Sequence, residues 1–181
     1  MICGKVFVAL LEVGVVLSYG LLLVFPAVMI LAALSDLFTL TIPNRLSLVL
    51  IAVFFPLALI AGLPLETIGM HVIAGLGVLV AGFVLFSTGT LGGGDAKLLA
   101  AASLWVGVAP LMNFFTYVAI IGGALALAIL IYRRLPQEAV IGPDWAHRLH
   151  EKQTGIPYGI AIAGASLMTF PATELYRLIA G

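Results

Sequence analysis

Long apolar runs almost free of charge constrain this chain more than any other feature. Val6 to Leu34 carries one charge, Glu12, and five further runs follow. These are about Arg45 to Ala61, Ile68 to Phe86, Ala96 to Val108, Met112 to Tyr132 and Ile156 to Leu178. Hydrophobic residues make up 63% and charged residues 9%, against roughly 25% charged in soluble domains. At roughly 20 residues per crossing, the 181 residues hold about six spans and leave no room for a sizeable soluble domain. The expected fold is therefore all-α: a polytopic membrane helix bundle of about six transmembrane helices, forming a single integral-membrane domain over residues 1–181.

The same composition excludes several function classes. Zero formal net charge leaves no footprint for nucleic acid. One cysteine, Cys3, allows neither an internal disulfide nor a multi-cysteine zinc site. Neither a metal nor a cofactor is expected. Lys5 ahead of an apolar run resembles the start of a signal peptide, but no cleavage site follows, so the run is read as retained. A straight helix from Val6 to Leu34 would reach roughly 43 Å, beyond a hydrocarbon core of about 30 Å. Pro26 and Gly20 would kink it, or it would tilt, or Val6 to Tyr19 would lie partly in the interface. Glu12 then reads as an interfacial or neighbour-paired carboxylate.

Orientation follows from the basic residues. With six spans, the connections after the first, third and fifth share one side. They hold Arg45, Lys97, Arg133, Arg134, Arg148 and Lys152, leaving only Lys5 and Arg177 opposite. The positive-inside rule makes that side cytoplasmic and puts both termini on the other.

One stretch breaks the apolar pattern: Leu91-Gly92-Gly93-Gly94-Asp95-Ala96-Lys97. An ionisable group beside hydrocarbon is costly and marks a functional site by default. A run without side chains lets another segment approach closely. The bland alternative makes Asp95 an N-cap and the glycines a surface loop. A second carboxylate, Asp36, ends the first span on the same side and is followed by Ile42-Pro43-Asn44. Pro43 suits the first turn of the second helix. Two carboxyls around one water are what carboxylate hydrolysis of a peptide needs, and like charges a few Å apart share one proton. Helix dipoles would make Asp95, at a helix N-terminus, the resting base and Asp36, at a C-terminus, the resting acid. The alternative is two unrelated interfacial carboxylates. Elsewhere, the glycines of the third run would let helices pack closely. His71 reads as interfacial and Glu66 as solvated. The fourth run is short for a crossing and would be buried by its neighbours. Leu135 to Gly155, with His147 and His150, reads as a solvated amphipathic loop.

Taken together, these motifs resemble those of the type IV prepilin leader peptidases, membrane aspartic proteases of the GxGD type. Asp36 with Ile42-Pro43-Asn44 stands for the first family motif. Gly92-Gly93-Gly94-Asp95-Ala96-Lys97 stands for the second, and Pro157-Tyr158-Gly159 looks like the late Pro-aromatic-Gly element. The resemblance covers about Leu31 to Ala165. It implies an endopeptidase of the bacterial inner membrane that removes a basic leader from pilin-like precursors at the cytoplasmic face. Asp36 and Asp95 would be the catalytic pair, and Pro43, Asn44 and Lys97 would join the substrate site. The chain looks like the short form found with tight-adherence (Flp-type) pili. With one cysteine it lacks the paired-cysteine methyltransferase loop of larger members, so N-methylation is not expected. The segment Leu37 to Thr41 carries none of the basic residues that members often have there. The glycine run offers Gly92, Gly93 and Gly94 as a backbone edge for an extended substrate. A small ion-coupled transporter and a non-catalytic pilus or secretion assembly subunit remain alternatives; a transporter would place its carboxylates nearer the bilayer midplane.

Overall fold

A computed structural model describes residues 14–137, 140, 142–151 and 154–181. Cys3, Lys5, Glu12 and Lys152 lie outside the described residues, with the expectations attached to them. Among the described residues all regular structure is helical, and the chain forms a helical membrane bundle. Three helices are long and apolar enough to cross a bilayer: α1 (Gly14–Thr39), α3 (Leu65–Ser87) and α5 (Leu111–Tyr132). Shorter ones lie between and after them: α2 (Asn44–Ile60), α4 (Gly93–Val106), α6 (Asp144–His150), α7 (Tyr158–Thr169) and α8 (Glu174–Ala180).

Helix boundaries follow local chemistry. Within α1 the helix pattern falters at Leu23, because Pro26 has no N–H to return to Leu22. Leu40, in the left-handed region at φ 53°, closes α1 by donating its N–H to the Asp36 carbonyl at 2.8 Å. Asp36 is thus in the last turn, one turn short of the end. Pro43 is the N-cap residue of α2, one position ahead of the first turn expected for it. The sixth apolar run was expected as one span from Ile156 to Leu178, and it is broken instead. A 3₁₀ turn, Phe170–Ala172, carries Pro171 and ends α7. Thr173 then caps α8, its Oγ1 accepting from the Tyr176 N–H at 3.3 Å.

The fourth run fulfils the expectation that its neighbours would bury it. Helix α4 packs against α2, α3, α5 and α7, and every residue from Ala100 to Val106 is buried. Two glycines seven residues apart set its distance from α3. A Cβ on Gly75 would lie 3.2 Å from the Leu104 Cβ, and one on Gly82 would lie 3.1 Å from the Ala96 Cβ. Gly69 and Gly77, by contrast, face open space. The core beside α4 is aromatic: Phe25 stacks on Trp105 and on Phe170 with ring centroids 5.0 Å apart in both pairs. The Trp105 indole N–H donates to the Leu50 carbonyl at 2.9 Å and ties α4 to α2, giving a buried ring the partner its polar edge requires.

The bundle therefore has two polar ends. One gathers Asp36, Asn44, Lys97 and Gly159; the other gathers His71, Leu104, Gly107 and Glu174. His71, expected at an interface, is buried at 2% exposure. Its Nδ1 is 2.7 Å from the Leu104 carbonyl, one of the last-turn carbonyls that α4 leaves without a helical partner. Gly107 turns beneath the ring at φ 75°, where a Cβ would fall 2.6 Å from His71 Cε1. Glu66 is exposed, as expected.

Candidate active site

The site is built at the Asp36 end, where the starts of α2, α4 and α7 meet the last turn of α1. Asp36 is buried, at 5% exposure. Its Oδ2 accepts from the Gly159 backbone N–H at 2.6 Å, across 123 residues of sequence. Gly159 lies in the first turn of α7, just after Pro157, the N-cap residue. A helix start is where backbone N–H groups lack partners, and here one of them is aimed at a carboxyl. No side chain fits at this position: a Cβ on Gly159 would stand 2.8 Å from Asp36 Oδ2 and 2.9 Å from its Cβ.

Asp95 is placed differently from the bland expectation. The N-cap of α4 is Gly92, and Gly93 and Gly94 are its first helical residues. Asp95 follows in the first turn. From there a carboxyl can fold back over the cap, and its Oδ2 lies where a Gly92 side chain would begin, 2.5 Å from that Cβ position. Its Oδ1 is buried and, among the described residues, has no hydrogen-bond partner. Buried polar atoms are nearly always paired, and leaving a buried donor or acceptor unpaired costs about 1–3 kcal/mol, more when charged. The expected contrast between a carboxyl at a helix C-terminus and one at an N-terminus is lost, because Asp36 also faces the N-terminus of α7.

Ile42 is the wedge that holds these pieces. A Cβ on Gly94 would lie 3.2 Å from Ile42 Cβ, and one on Gly159 would lie 3.0 Å from Ile42 Cδ1. The three sequence motifs thus converge on one buried side chain. The glycine run, expected as a loop, is a helix start because close packing on Ile42 needs a residue without a Cβ. A Cβ on Gly93 would likewise meet the Phe86 ring, at 3.2 Å. Gly92 is exposed, and its carbonyl accepts from the Ala96 N–H at 3.0 Å. A paired strand edge needs free carbonyls as well as N–H groups, so the run offers a substrate only the unpaired N–H groups of a first turn.

The other expected site residues divide. Pro43 and Asn44 are exposed at the start of α2. Lys97 donates from Nζ to Asn44 Oδ1 at 3.0 Å, so those two meet each other and line the space between α2 and α3. Gly159 was not among the expected site residues, although Pro157-Tyr158-Gly159 was the signal that could have found it. The connection expected to be a solvated loop is docked instead. Arg148 of α6 donates to the Phe38 carbonyl, and Trp145 packs edge-on against Phe38 at 6.2 Å. Arg133 donates to the carbonyls of Leu149 at 2.8 Å and Thr154 at 2.7 Å. Among the described residues, no group of three or more His, Cys, Asp or Glu is arranged to hold a metal ion.

The type IV leader peptidase family profile matches residues 23–127, more than half of the 181 and inclusive of both aspartates. No curated protein and no solved structure matches the chain. The extent of the family match is sufficient: this chain belongs to the type IV leader peptidase family, whose members are proteases.

Proposed function

We propose that the chain is an aspartic endopeptidase of the bacterial inner membrane that removes the basic leader of a pilin-like precursor at the cytoplasmic face. The observation that carries this reading is the convergence of two carboxyl-bearing segments from different helices on Ile42, Asp36 being buried and Asp95 half-buried. Asp36 has one oxygen held by a backbone N–H, and Asp95 has one oxygen free of protein partners. One ionised carboxylate takes a proton from the attacking water while its neutral partner polarises the scissile carbonyl, the pair sharing one proton between them. Peptide hydrolysis then needs no group beyond the two aspartates, the water and the substrate.

Orientation supports the cytoplasmic placement. Arg45, Lys97, Arg133, Arg134 and Arg148 belong to the connections at the aspartate end, and Arg177 lies on α8 at the other. A leader on the cytoplasmic side of its own membrane helix thus reaches the site without crossing the bilayer. Its scissile bond must first leave helical geometry, because a helix masks its backbone. The exposed Gly92 borders the Asp95 carboxyl, and the extended segment docks beside Gly92 to Gly94, held by first-turn N–H groups of α4.

The test uses the purified chain in lipid with a pilin-like precursor carrying a basic leader. Release of the leader, with a single new N-terminus at the start of the apolar helix, is the expected result. A precursor left intact by folded protein would favour the assembly-subunit reading instead.

A further inference from the structure

Helices α2 and α3 scarcely touch each other, and both pack on α4 behind them. The resulting groove has a volume of about 440 Å³, within the usual range for small-molecule sites. Its walls carry Leu48, Ile51, Leu76 and Leu79, all at least 40% exposed. Its floor is narrow-residued, with Ala100 and Ala101. Polar groups occur only toward one end, and they fall in a definite order of depth. Lys97 and Asn44 are at the mouth, paired with each other at 3.0 Å. Ser47 lies one turn deeper, 5% exposed, and among the described residues its Oγ has no hydrogen-bond partner. Below it the lining is apolar as far as Phe55 and Leu104.

We propose that this groove binds one anionic phospholipid, with its phosphate at Lys97 and Asn44, an ester carbonyl at Ser47 and an acyl chain along the apolar wall. The order of groups in the groove is the order of groups in the lipid. Asn44 to Phe55 spans eleven helical steps, about 16 Å, which is room for most of a chain. Among the described residues Lys97 makes no pair with a carboxylate, so its charge is answered by a headgroup at the membrane surface. A transmembrane helix is the competing occupant and fits less well. Its carbonyls are spent on its own N–H groups and offer Ser47 nothing, whereas an ester carbonyl is a free acceptor. A basic leader, moreover, is repelled by Lys97. The lipid would brace α4 two residues from Asp95 without touching the carboxyls, and the proposal stands or falls separately from the peptidase reading.

Native mass spectrometry of the detergent-purified chain with added phosphatidylglycerol or phosphatidylcholine tests it. One phosphatidylglycerol should survive stripping of the rest, bound about fivefold better than phosphatidylcholine, the ratio one basic residue at a membrane surface confers. Lys97→Gln should erase that preference. Leu48→Trp and Leu76→Trp, each filling the groove from one wall, should lower retention of both lipids, while Leu127→Trp on the exposed face of α5 should not. Ser47→Ala, which leaves the walls intact, should weaken retention even if the tryptophan variants fold poorly. Equal retention by wild type, Ser47→Ala and the groove variants would overturn the proposal. So would displacement of the lipid by a synthetic apolar pilin helix, which would make the substrate the occupant.

Discussion

The two polar ends of the bundle solve the same problem in opposite ways. Each buries a titratable side chain against the end of α4. At the far end the His71 Nδ1–H caps the Leu104 carbonyl at 2.7 Å, and Nε2 stands 3.5 Å from Glu174 Oε2. At the near end Asp36 has one backbone donor and Asp95 keeps a buried oxygen with none. A satisfied buried polar group holds a fold together; an unsatisfied one is retained at a cost that stability alone does not justify. The comparison separates a structural end from the proposed reactive end within one short helix.

The largest effect expected from breaking the contrast is at Gly159. Gly159→Ala puts a methyl group 2.8 Å from Asp36 Oδ2 and must push the carboxyl aside. Misplacing a catalytic group by about 1 Å can cost roughly 100-fold. Leader cleavage per folded molecule should fall by about that factor, beyond the lowered thermal midpoint that overpacking at about 1–3 kcal/mol brings. Near-normal cleavage would detach Gly159 from the site.

The far end should answer in stability, not in rate. His71→Ala strips the Leu104 carbonyl of its partner, and an unmet buried acceptor costs about 1–3 kcal/mol. Thermal unfolding should shift down accordingly, with the cleavage rate per folded molecule unchanged. A rate loss beyond the loss of folded protein would mean that the two ends communicate.

Glu174→Gln sharpens the comparison by the smallest step. The Glu174 side chain is about half exposed and faces His71 at 3.5 Å, and exposed pairs are worth about 0–1 kcal/mol. Stability should change by less than about 1 kcal/mol. A loss equal to that of His71→Ala would show that the contact with Glu174, not the bond to Leu104, makes the cap.

Much of the proposed reactive end stands out in the sequence, and little of the structural end does. Asp36 and Asp95 stand out because a carboxylate beside an apolar run has few bland uses. Their positions at segment ends and the positive-inside rule put them on one side before any contact was known. The glycine run was misread as a loop because glycine disfavours helix by about 1 kcal/mol per residue. Packing on Ile42 and Phe86 outweighs that, and neither contact is visible locally. His71 was misread for the same reason: its partner, the Leu104 carbonyl, is 33 residues away and belongs to the backbone, so no side-chain motif announces it. The break after α7 was legible in principle, since Pro171 and Thr173 are a stop and a cap, but the apolar run across them hid it. The docking of α6 through Arg148 rests on the Phe38 carbonyl 110 residues away, again a backbone partner without a sequence signal.

The central claim is that Asp36 and Asp95 act as one pair, and non-additivity tests it most directly. Leader cleavage would be measured for Asp36→Asn, Asp95→Asn and the double variant, each confirmed as folded in lipid. General acid–base catalysis is typically worth about 100- to 10,000-fold, and residues acting as a unit lose about as much singly as together. The account predicts that all three variants fall to the same low rate. A single variant near the wild-type rate, or a double variant whose loss is the product of two modest single losses, would contradict it.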